Sequence, residues 1–435
     1  MTGQPAITEM KGHSSAADLE YWTAHAVPVL RSLLRSTGSY SSEEQDAQVQ
    51  FLTKHVLPNL GPRPSVAYTK SFLTKSGSPI QLSVNLSARK PLVRYCWEIL
   101  GPQGGSESDP FAIEAAKNII SHFADTLGFS TQWSDVLMKS FALTPEEQAG
   151  GLLAMERWMA KCIPADAPVK PPKSLPLAFA AFDLKGDQVS SKTYFNPKVK
   201  EIVTGASVNE LTWAVLRDLK PALHPEAIDL VQEFLSTRPV PSGIELVGVD
   251  CVDEAGLANA RVKLYVHSKS NSFNTVREYV TIGGRLKDEA TRKSLEVLHE
   301  IWPLLLQEPE GLPDDDFDKP LKDASMFFQK LYFSFELRPG CEHPEVKTYL
   351  PTWNYVRSDE ETVQNYSAVF RKCGYEWGQE GKYKAVFEDA FGPVNQERAV
   401  PVHCDASFLF SEKNGIYQTV YFSTPLAEEA GSEVW

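Results

Sequence analysis

The sequence repeats one succession of elements about five times, and this repetition is the feature that most limits its possible folds. In each repeat, helical segments with apolar residues at three-to-four spacing precede two short strand-like segments joined by a turn. The repeats follow one another at intervals of roughly 70 to 90 residues, a period typical of repeated structural units. The predicted strand pairs are 78–86 with 92–100, 176–184 with 191–195, 244–252 with 258–267, 325–337 with 345–351, and 405–410 with 415–423.

Such short turns join antiparallel neighbours, because parallel strands need a long crossover connection. Five hairpins in series, each preceded by helices, can close into a ten-stranded antiparallel barrel with the helices outside and room for a ligand inside. We therefore predict an α+β fold with one domain over residues 1–435, because no linker rich in Pro, Gly or Ser divides the chain. Residues 1–18 are predicted to be a flexible N-terminal tail.

The second strand of each hairpin carries basic residues and tyrosines on one face. In "RVKLYVH", Arg261, Lys263 and Tyr265 alternate with three apolar residues, and alternate side chains of a strand share a face. Related residues recur in the other four repeats, with a cation alone in the first, a cation and a tyrosine in the second and fourth, and two tyrosines in the fifth. The basic residues are Arg94, Lys192, Arg261, Lys263 and Lys347, and the tyrosines are Tyr194, Tyr265, Tyr349, Tyr417 and Tyr421. If the charged face lines the barrel, five cations and five tyrosines converge on one cavity.

Buried like charges are unfavourable unless an anion lies among them. An allylic diphosphate suits this composition, because the cations can hold the diphosphate and the tyrosine faces can stabilise an allyl cation. Two other interpretations stay open on the residues alone. The lumen could sequester a phosphorylated or acidic molecule without chemistry, or the hairpins could form an open sheet whose charged face meets solvent.

At these residues the chain resembles the fungal aromatic (indole) prenyltransferases of the dimethylallyltryptophan synthase family. The resemblance runs from about residue 20 to the C-terminus and rests on "PIQLSVN", "VRY", "KTYFNP", "RVKLY", "ELRPG" with "KTYLP", and "YQTVYF". It implies the ABBA or PT barrel, which has five ααββ repeats around ten antiparallel strands. It also implies that the five cations bind the diphosphate and that the five tyrosines shield the allyl cation.

The implied reaction is metal-independent transfer of a dimethylallyl group from its diphosphate to an aromatic acceptor in secondary metabolism. No cofactor is required, and the diphosphate is a co-substrate. The expected acceptor is an indole derivative such as a tryptophan-containing cyclic dipeptide or an alkaloid, with a phenolic or quinone-type acceptor as the alternative.

Two further residues are predicted to be catalytic by the resemblance. Gln81 in "PIQLSVN" occupies the place of a glutamate that accepts the indole N–H in the family. A glutamine accepts that hydrogen bond but cannot take a proton, which disfavours free tryptophan as the acceptor. Lys185 in "FDLKG" is predicted to help remove the proton from the arenium intermediate. His403 and Glu98 are weaker candidates.

Composition excludes several other classes of function. The formal charge of −13 and the pI near 5.3 argue against a nucleic-acid binder. The six cysteines have no C-x-x-C spacing, so neither a zinc site nor a disulfide framework is indicated. Asp314, Asp315 and Asp318 have the D-D-x-x-D spacing of magnesium-dependent prenyl enzymes, but prolines flank them and we expect a solvated acidic loop.

The expected context of the protein follows from the same composition. The N-terminus lacks the pattern of a signal peptide, and the longest mostly apolar stretch is too short to cross a bilayer. We expect a cytoplasmic monomer or homodimer with no membrane partner.

Overall fold

A computed structural model gives the fold of the chain. The structure describes residues 14–64, 71, 73–87, 89–101, 109–162, 175–238, 243–308, 315–322, 330–356, 358–398, 400–411 and 415–426. In this part of the chain no helix is long and apolar enough to cross a membrane.

The α-helices of the described residues flank pairs of strands throughout the chain. They are α1 (Ala16–Ser36), α2 (Ser42–Phe51), α3 (Ile113–Leu127), α4 (Gln132–Phe141), α5 (Pro145–Ala149), α6 (Gly151–Cys162), α7 (Lys198–Thr204), α8 (Val208–Asp218), α9 (Pro225–Ser236), α10 (Phe273–Val280), α11 (Glu289–Leu306), α12 (Asp359–Lys372) and α13 (Lys382–Phe391). Several begin with a side-chain cap. Ser15 caps α1 and Ser41 caps α2 through reciprocal bonds to the third helical residue.

The strands form one closed antiparallel barrel. They are β1 (Ile80–Leu86), β2 (Leu92–Glu98), β3 (Ala178–Lys185), β4 (Gln188–Phe195), β5 (Ile244–Cys251), β6 (Val262–Ser268), β7 (Leu331–Leu337), β8 (Glu345–Leu350), β9 (His403–Ser411) and β10 (Gly415–Phe422). Each strand pairs with its neighbours in the sequence, and β1 pairs with β10 to complete the ring. The predicted ten-stranded barrel surrounded by helices is confirmed.

The apolar face of each strand points outward and forms the core against the helices. The ring centroids of Phe182 on β3 and Phe51 on α2 are 5.3 Å apart. Phe333 on β7 stacks on Tyr279 of α10, with 4.2 Å between ring centroids. The outward residues Val262, Leu264 and Val266 of β6 are fully buried under this layer. The hydrophobic core is therefore a shell around the barrel, and the polar face of each strand is left to line the lumen.

The structure adds elements that periodicity did not predict. The helices α5, α6, α7 and α10 lie in stretches that were not assigned to helices from the sequence. The predicted tail of residues 1–18 is wrong at its end, because α1 already begins at Ala16. Residues 1–13 and 325–329 lie outside the described residues.

Candidate active site

The lumen has three levels, which follow from the distance of each residue from the hairpin turns. All five hairpin turns lie at one end of the barrel, because each follows an odd-numbered strand and all odd-numbered strands of this antiparallel barrel run in the same direction. In β8, Lys347 is the third residue after the turn and Tyr349 lies two residues deeper. At about 3.4 Å per residue, this step is roughly 7 Å. β4 and β6 repeat it, so basic residues lie near the turns, tyrosines lie deeper, and Gln81 lies near the far end.

The first part of the basic level is a buried triad on β2, β3 and β4. Arg94 and Asp183 are cross-strand partners, with 3.0 Å between Nε and Oδ1. The Nζ of Lys192 lies 2.6 Å from the other carboxylate oxygen of Asp183. One carboxylate thus holds two predicted diphosphate ligands in place.

The second part adjoins the first, on β5, the start of β6 and β7, because Asp250 of β5 is the cross-strand partner of Lys192. Arg261 donates from Nε and Nη2 to the two oxygens of Asp250, at 2.6 and 3.1 Å. Its Nη1 also donates to Glu336 at 3.0 Å, and the Nζ of Lys263 lies 3.4 Å from the same carboxylate. Two carboxylates therefore orient this second pair of cations.

Lys347 differs from the other four cations. It is 5% exposed, and among the described residues its Nζ has no carboxylate oxygen within 4 Å. Instead it lies over the rings of Tyr417 and Tyr349, 4.7 and 5.3 Å from their centroids. The eight charged side chains of this level, five cations and three carboxylates, carry a surplus of two positive charges when all are ionised. An anion is the missing partner of this cluster.

The pKa values follow from burial and from these neighbours. Burial raises the pKa of Asp183, but the charges of Arg94 and Lys192 outweigh burial and hold it well below its ordinary value. Burial lowers the pKa of Lys192 to about 8, with Asp183 opposing the shift and Arg94 adding to it. Burial and the charge of Arg94 also hold the pKa of Lys347 well below its ordinary value, despite Glu336.

The second level is a chain of tyrosine rings around the lumen. Tyr194 and Tyr265 have ring centroids 5.9 Å apart, Tyr265 and Tyr349 are 5.7 Å apart, and Tyr349 and Tyr421 are 6.3 Å apart. Tyr332 on β7 stacks on Tyr349 at 4.6 Å. These contacts make an electron-rich wall directly below the cations, where a cation formed in the lumen would be stabilised.

Gly248 of β5 leaves the space that the ring of Tyr194 occupies. The two residues are cross-strand partners, and a Cβ at position 248 would lie 2.6 Å from the ring atom Cδ1 of Tyr194. A side chain here would displace the ring. The glycine thus positions one member of the tyrosine wall.

The third level lies near the start of β1. The Nε2 of Gln81 is 3.4 Å from both the carbonyl oxygen of Leu73 and the Sγ of Cys404. Lys75, from the segment before β1, lies over the ring of Trp353 at 3.5 Å. This end of the lumen is therefore lined by polar groups and covered by the segment that leads into β1.

The structure brings most of the predicted site residues together. All five cations and Tyr194, Tyr265, Tyr349 and Tyr421 lie on the luminal face, as the alternation predicted. Tyr417 lies at the basic level, where Arg94 donates to its hydroxyl. Its predicted part in the shield stays a prediction.

The structure does not bring Lys185 together with Gln81. Lys185 is an exposed residue at the β3–β4 turn, on the opposite side of Asp183 from the level of Gln81. On β3, Ala181, which is level with Cys96 and Gln81, lies two positions before Asp183, and Lys185 lies two positions after it. Four residues of strand span about 13 Å, so a role of Lys185 at the acceptor has no geometric support.

The weaker candidates have separate environments. His403 faces outward into the core, where its Nδ1 lies 2.8 Å from Asp359 and its Nε2 lies 2.8 Å from the hydroxyl of Tyr383. Glu98 is fully buried on the luminal face and accepts a hydrogen bond from Ser71. His403 is thus a core residue, whereas Glu98 belongs to the far end of the lumen.

The acidic loop has partners of its own. Asp315 pairs with Arg277 at 2.6 Å and with His299 at 3.0 Å, and Asp318 pairs with Lys330. Asp314 lies outside the described residues. Within the described ranges, no group of three or more His, Cys, Asp or Glu side chains could hold a metal ion.

The sequence reasoning missed four luminal residues of the first strands. Asp183, Asp250, Glu336 and Tyr332 all lie on strands that lead into the turns, whereas the predicted cations and tyrosines all belong to the returning strands. A signal existed, because each of these residues alternates with apolar neighbours. Asp183, for example, lies between Phe182 and Leu184.

Comparison with known proteins agrees with this geometry. Residues 18–385 match the family model described as tryptophan dimethylallyltransferase. The chain is 58% identical over 425 residues to the indole diterpene prenyltransferase terF of Tolypocladium album, covering 98% of each protein. It is 52% identical to the indole diterpene prenyltransferase ltmF of Epichloe festucae var. lolii, covering 95% of this chain and 94% of the relative.

A solved structure shares the fold. The crystal structure of AnaPT from Neosartorya fischeri superposes with a TM-score of 0.78 at 25% identity, covering 95% of this chain and 97% of that protein. The predicted family, fold and enzyme class are therefore confirmed together. The chain belongs to the tryptophan dimethylallyltransferase family and is a prenyltransferase.

Proposed function

We propose that this enzyme transfers the dimethylallyl group of dimethylallyl diphosphate to the indole ring of an indole diterpene without a metal ion. Two relatives that are more than half identical over almost their whole length are named indole diterpene prenyltransferases, which supports this acceptor class. The single observation that best supports donor binding is the position of Lys347, which is buried and lies in a lumen with surplus positive charge.

The basic level holds the diphosphate in this proposal. Arg94, Lys192, Arg261, Lys263 and Lys347 donate to its oxygens. At an effective dielectric of about 20, each close charge pair contributes roughly 4 kcal/mol before desolvation is subtracted. As the C–O bond breaks, charge grows on the departing diphosphate, so the same donors favour ionisation.

The tyrosine wall protects the cation that ionisation creates. The faces of Tyr194, Tyr265, Tyr349 and Tyr421 each contribute about 0.5 to 2 kcal/mol of cation–π stabilisation. Their rings also exclude water, which would otherwise capture the cation and hydrolyse the donor. Tyr332 extends this wall through its stack on Tyr349.

The acceptor lies at the level of Gln81 in this proposal. The side-chain carbonyl of Gln81 can accept an indole N–H. The predicted cyclic-dipeptide acceptor becomes a comparison substrate, because the names of the two relatives favour a diterpene on the indole. A phenolic acceptor and a non-catalytic binder stay as alternatives for the experiment to decide.

The test is incubation with dimethylallyl diphosphate and EDTA, with an indole diterpene, tryptophan, a tryptophan-containing cyclic dipeptide or a phenol as acceptor. Mass spectrometry should detect a singly prenylated indole diterpene at a rate that magnesium does not change. Activity that requires magnesium would refute the metal-independent mechanism. Prenylation of only the phenol would refute the indole acceptor.

Two sets of variants test the assigned roles. Tyr265→Ala and Tyr421→Ala should keep donor affinity but lose transfer and release dimethylallyl alcohol, whereas a simple binder would show no such hydrolysis. Lys185→Ala tests the remaining prediction for that residue. Unchanged turnover would exclude Lys185 as the base and agree with its exposed position at the turn.

A cytoplasmic location and a monomeric or homodimeric state remain part of the proposal. Cell fractionation tests the first, and light scattering coupled to gel filtration tests the second. A higher oligomer would contradict the second prediction.

A further inference from the structure

A β-bulge in β9 places two consecutive side chains at the far end of the lumen. Ala406 pairs with Val420 of β10, but the next pair is His403 with Phe422, so Cys404 and Asp405 together lie opposite one residue. Bulges of this kind redirect side chains and are frequent next to active sites. The bulge therefore adds polar groups to the lumen at a level that regular alternation would not supply.

Contacts show where these two side chains point. The Sγ of Cys404 lies 3.4 Å from the Nε2 of Gln81, which lines the lumen. Asp405 alternates with luminal Ser407, is only 8% exposed, and accepts a hydrogen bond from the hydroxyl of Tyr332. A carboxyl group thus lies at the same end of the lumen as Gln81, which replaces the expected glutamate, and directly follows the cysteine that Gln81 contacts.

Other titratable groups face Asp405 from several elements. Lys75 approaches from the segment before β1, and His267 faces it from β6. Burial raises the pKa of Asp405, although the hydrogen bond from Cys404 and the charge of Lys75 act in the opposite direction. Tyr421 faces it from β10. The carboxyl group therefore lies in an enclosed polar pocket and is not neutralised by a close salt bridge among the described residues.

The reaction needs a proton acceptor in this pocket. The C–O bond of the donor breaks and the diphosphate leaves with its electron pair. An electron pair of the indole ring then forms the new C–C bond. The resulting arenium ion regains aromaticity when the electron pair of its C–H bond returns to the ring and the proton moves to a base. The amide of Gln81 cannot take that proton.

We propose that Asp405 is this base, receiving the arenium proton on its carboxylate at the acceptor end of the lumen. This assignment rests on the proposed function. The other titratable groups nearby are less suited by geometry. Lys75 is engaged with the ring of Trp353, His267 lies 3.8 Å from Glu245, and Lys185 lies beyond the basic level. Glu98 lies two positions beyond Cys96, the cross-strand partner of Gln81, and is therefore about 7 Å further from the tyrosine level.

The experiment compares Asp405→Asn with the wild type. Asparagine preserves the shape of the side chain but cannot accept the proton. We expect kcat with an indole diterpene to fall about 100-fold, within the range known for general bases. Affinity for dimethylallyl S-thiolodiphosphate should stay unchanged, because the basic level is separate. The matched control is Asp46→Asn, the same change at an exposed residue paired with Arg31, which should keep wild-type turnover.

A kinetic isotope effect distinguishes a base from a structural residue. With deuterium on the indole ring carbons, Asp405→Asn should show a larger primary isotope effect than the wild type, because proton removal has become rate-limiting. Reduced turnover with an unchanged isotope effect would assign Asp405 a positioning role and overturn the proposal. Turnover near the wild-type value would also overturn it.

A double variant provides a second readout. Gln81→Glu in the Asp405→Asn background returns a carboxylate to the same pocket from β1 and should recover turnover. A double variant that is folded and binds the donor analogue but remains inactive would overturn the proposal. This result is decisive even if the single variant Asp405→Asn folds poorly. If the wild type prenylates no indole at all, the proposed function fails. If the wild type and Asp405→Asn are equally active, only the assignment of the base fails.

Discussion

Replacement of Lys347 by methionine should weaken donor binding and stabilise the free enzyme at the same time. The buried ammonium group has no carboxylate within 4 Å in the described part of the chain, and the nearby charge of Arg94 repels it. Replacing buried ionic groups by apolar side chains of similar volume is often stabilising, by about 1 to 4 kcal/mol for a whole ion pair, and the same desolvation cost applies to a single ammonium group. We therefore expect a higher melting temperature for Lys347→Met without ligand.

The effect on binding has the opposite sign. A close pair between Lys347 and a phosphate oxygen contributes roughly 4 kcal/mol at an effective dielectric of about 20. We take about half of this as the net loss, because the phosphate must lose water and the lysine must carry its proton. About 2 kcal/mol corresponds to a roughly 30-fold higher Kd for the donor analogue.

Isothermal titration with dimethylallyl S-thiolodiphosphate and thermal unfolding measure the two effects. Lys139→Met, the same change at an exposed residue of α4, is the control and should alter neither quantity. If Lys347→Met lowers the melting temperature and leaves Kd unchanged, Lys347 is a structural residue. In that case the reasoning from its missing partner is refuted.

Three further predictions concern the same lumen. Affinity for the donor analogue should fall as the pH rises through about 8, because Lys192 loses its proton there in the free enzyme, and Lys192→Met should flatten this profile. Gly248→Ala should reduce kcat and increase donor hydrolysis, because the new Cβ displaces the ring of Tyr194. The control is Gly150→Ala, whose Cβ would meet no atom within 4 Å and should change neither quantity. An equal ratio of transfer product to hydrolysis product in the two variants would contradict this prediction. Glu336→Gln removes the carboxylate that pairs with buried Lys263 and one of the two carboxylates that pair with Arg261, and it should lower the stability of the free enzyme by roughly 3 kcal/mol. The donor analogue should then raise its melting temperature more than that of the wild type, and an equal rise would argue against the charge surplus.

Lys192 also influences stability, with a sign that can be derived. Its pKa is about 8 in the folded chain and higher in the unfolded chain, so the unfolded state binds more protons between these values. The contribution of Lys192 to the free energy of unfolding therefore increases as the pH rises above about 8. Donor binding changes in the opposite direction over the same range. Measuring both on one preparation separates the role of Lys192 in the fold from its role in the site.

Much of the site could be predicted because alternation along a strand is a local property. Lys263 and Tyr265 lie on the luminal face for the same reason that Val262 and Leu264 lie in the core. Which strand residue lies beside which could not be predicted. The pairing of Arg94 with Asp183, 89 positions later in the chain, depends on register between two separate hairpins.

The predictions failed or stayed open where a turn or a bulge decides the position. Lys185 belongs by alternation to the luminal face of β3, but it is the last residue of its strand and is therefore exposed. Asp405 could not be predicted as a site residue, because an isolated aspartate in "DASFLF" resembles the polar start of a strand. Only the shifted register of β9 against β10 places Asp405 together with Cys404 at the Gln81 end of the lumen.

Local sequence patterns specify the five repeats of helices and hairpins, the antiparallel strands, and the separation of an apolar face from a face of cations and tyrosines. These properties depend on residues close together in the chain, so periodicity reveals them. The tertiary structure decided that β1 pairs with β10, which closes the sheet and turns the polar face into a lumen. Closure brings the charges out of water and close together. The low pKa of Lys192, the isolation of Lys347 and the pocket around Asp405 arise only from that burial.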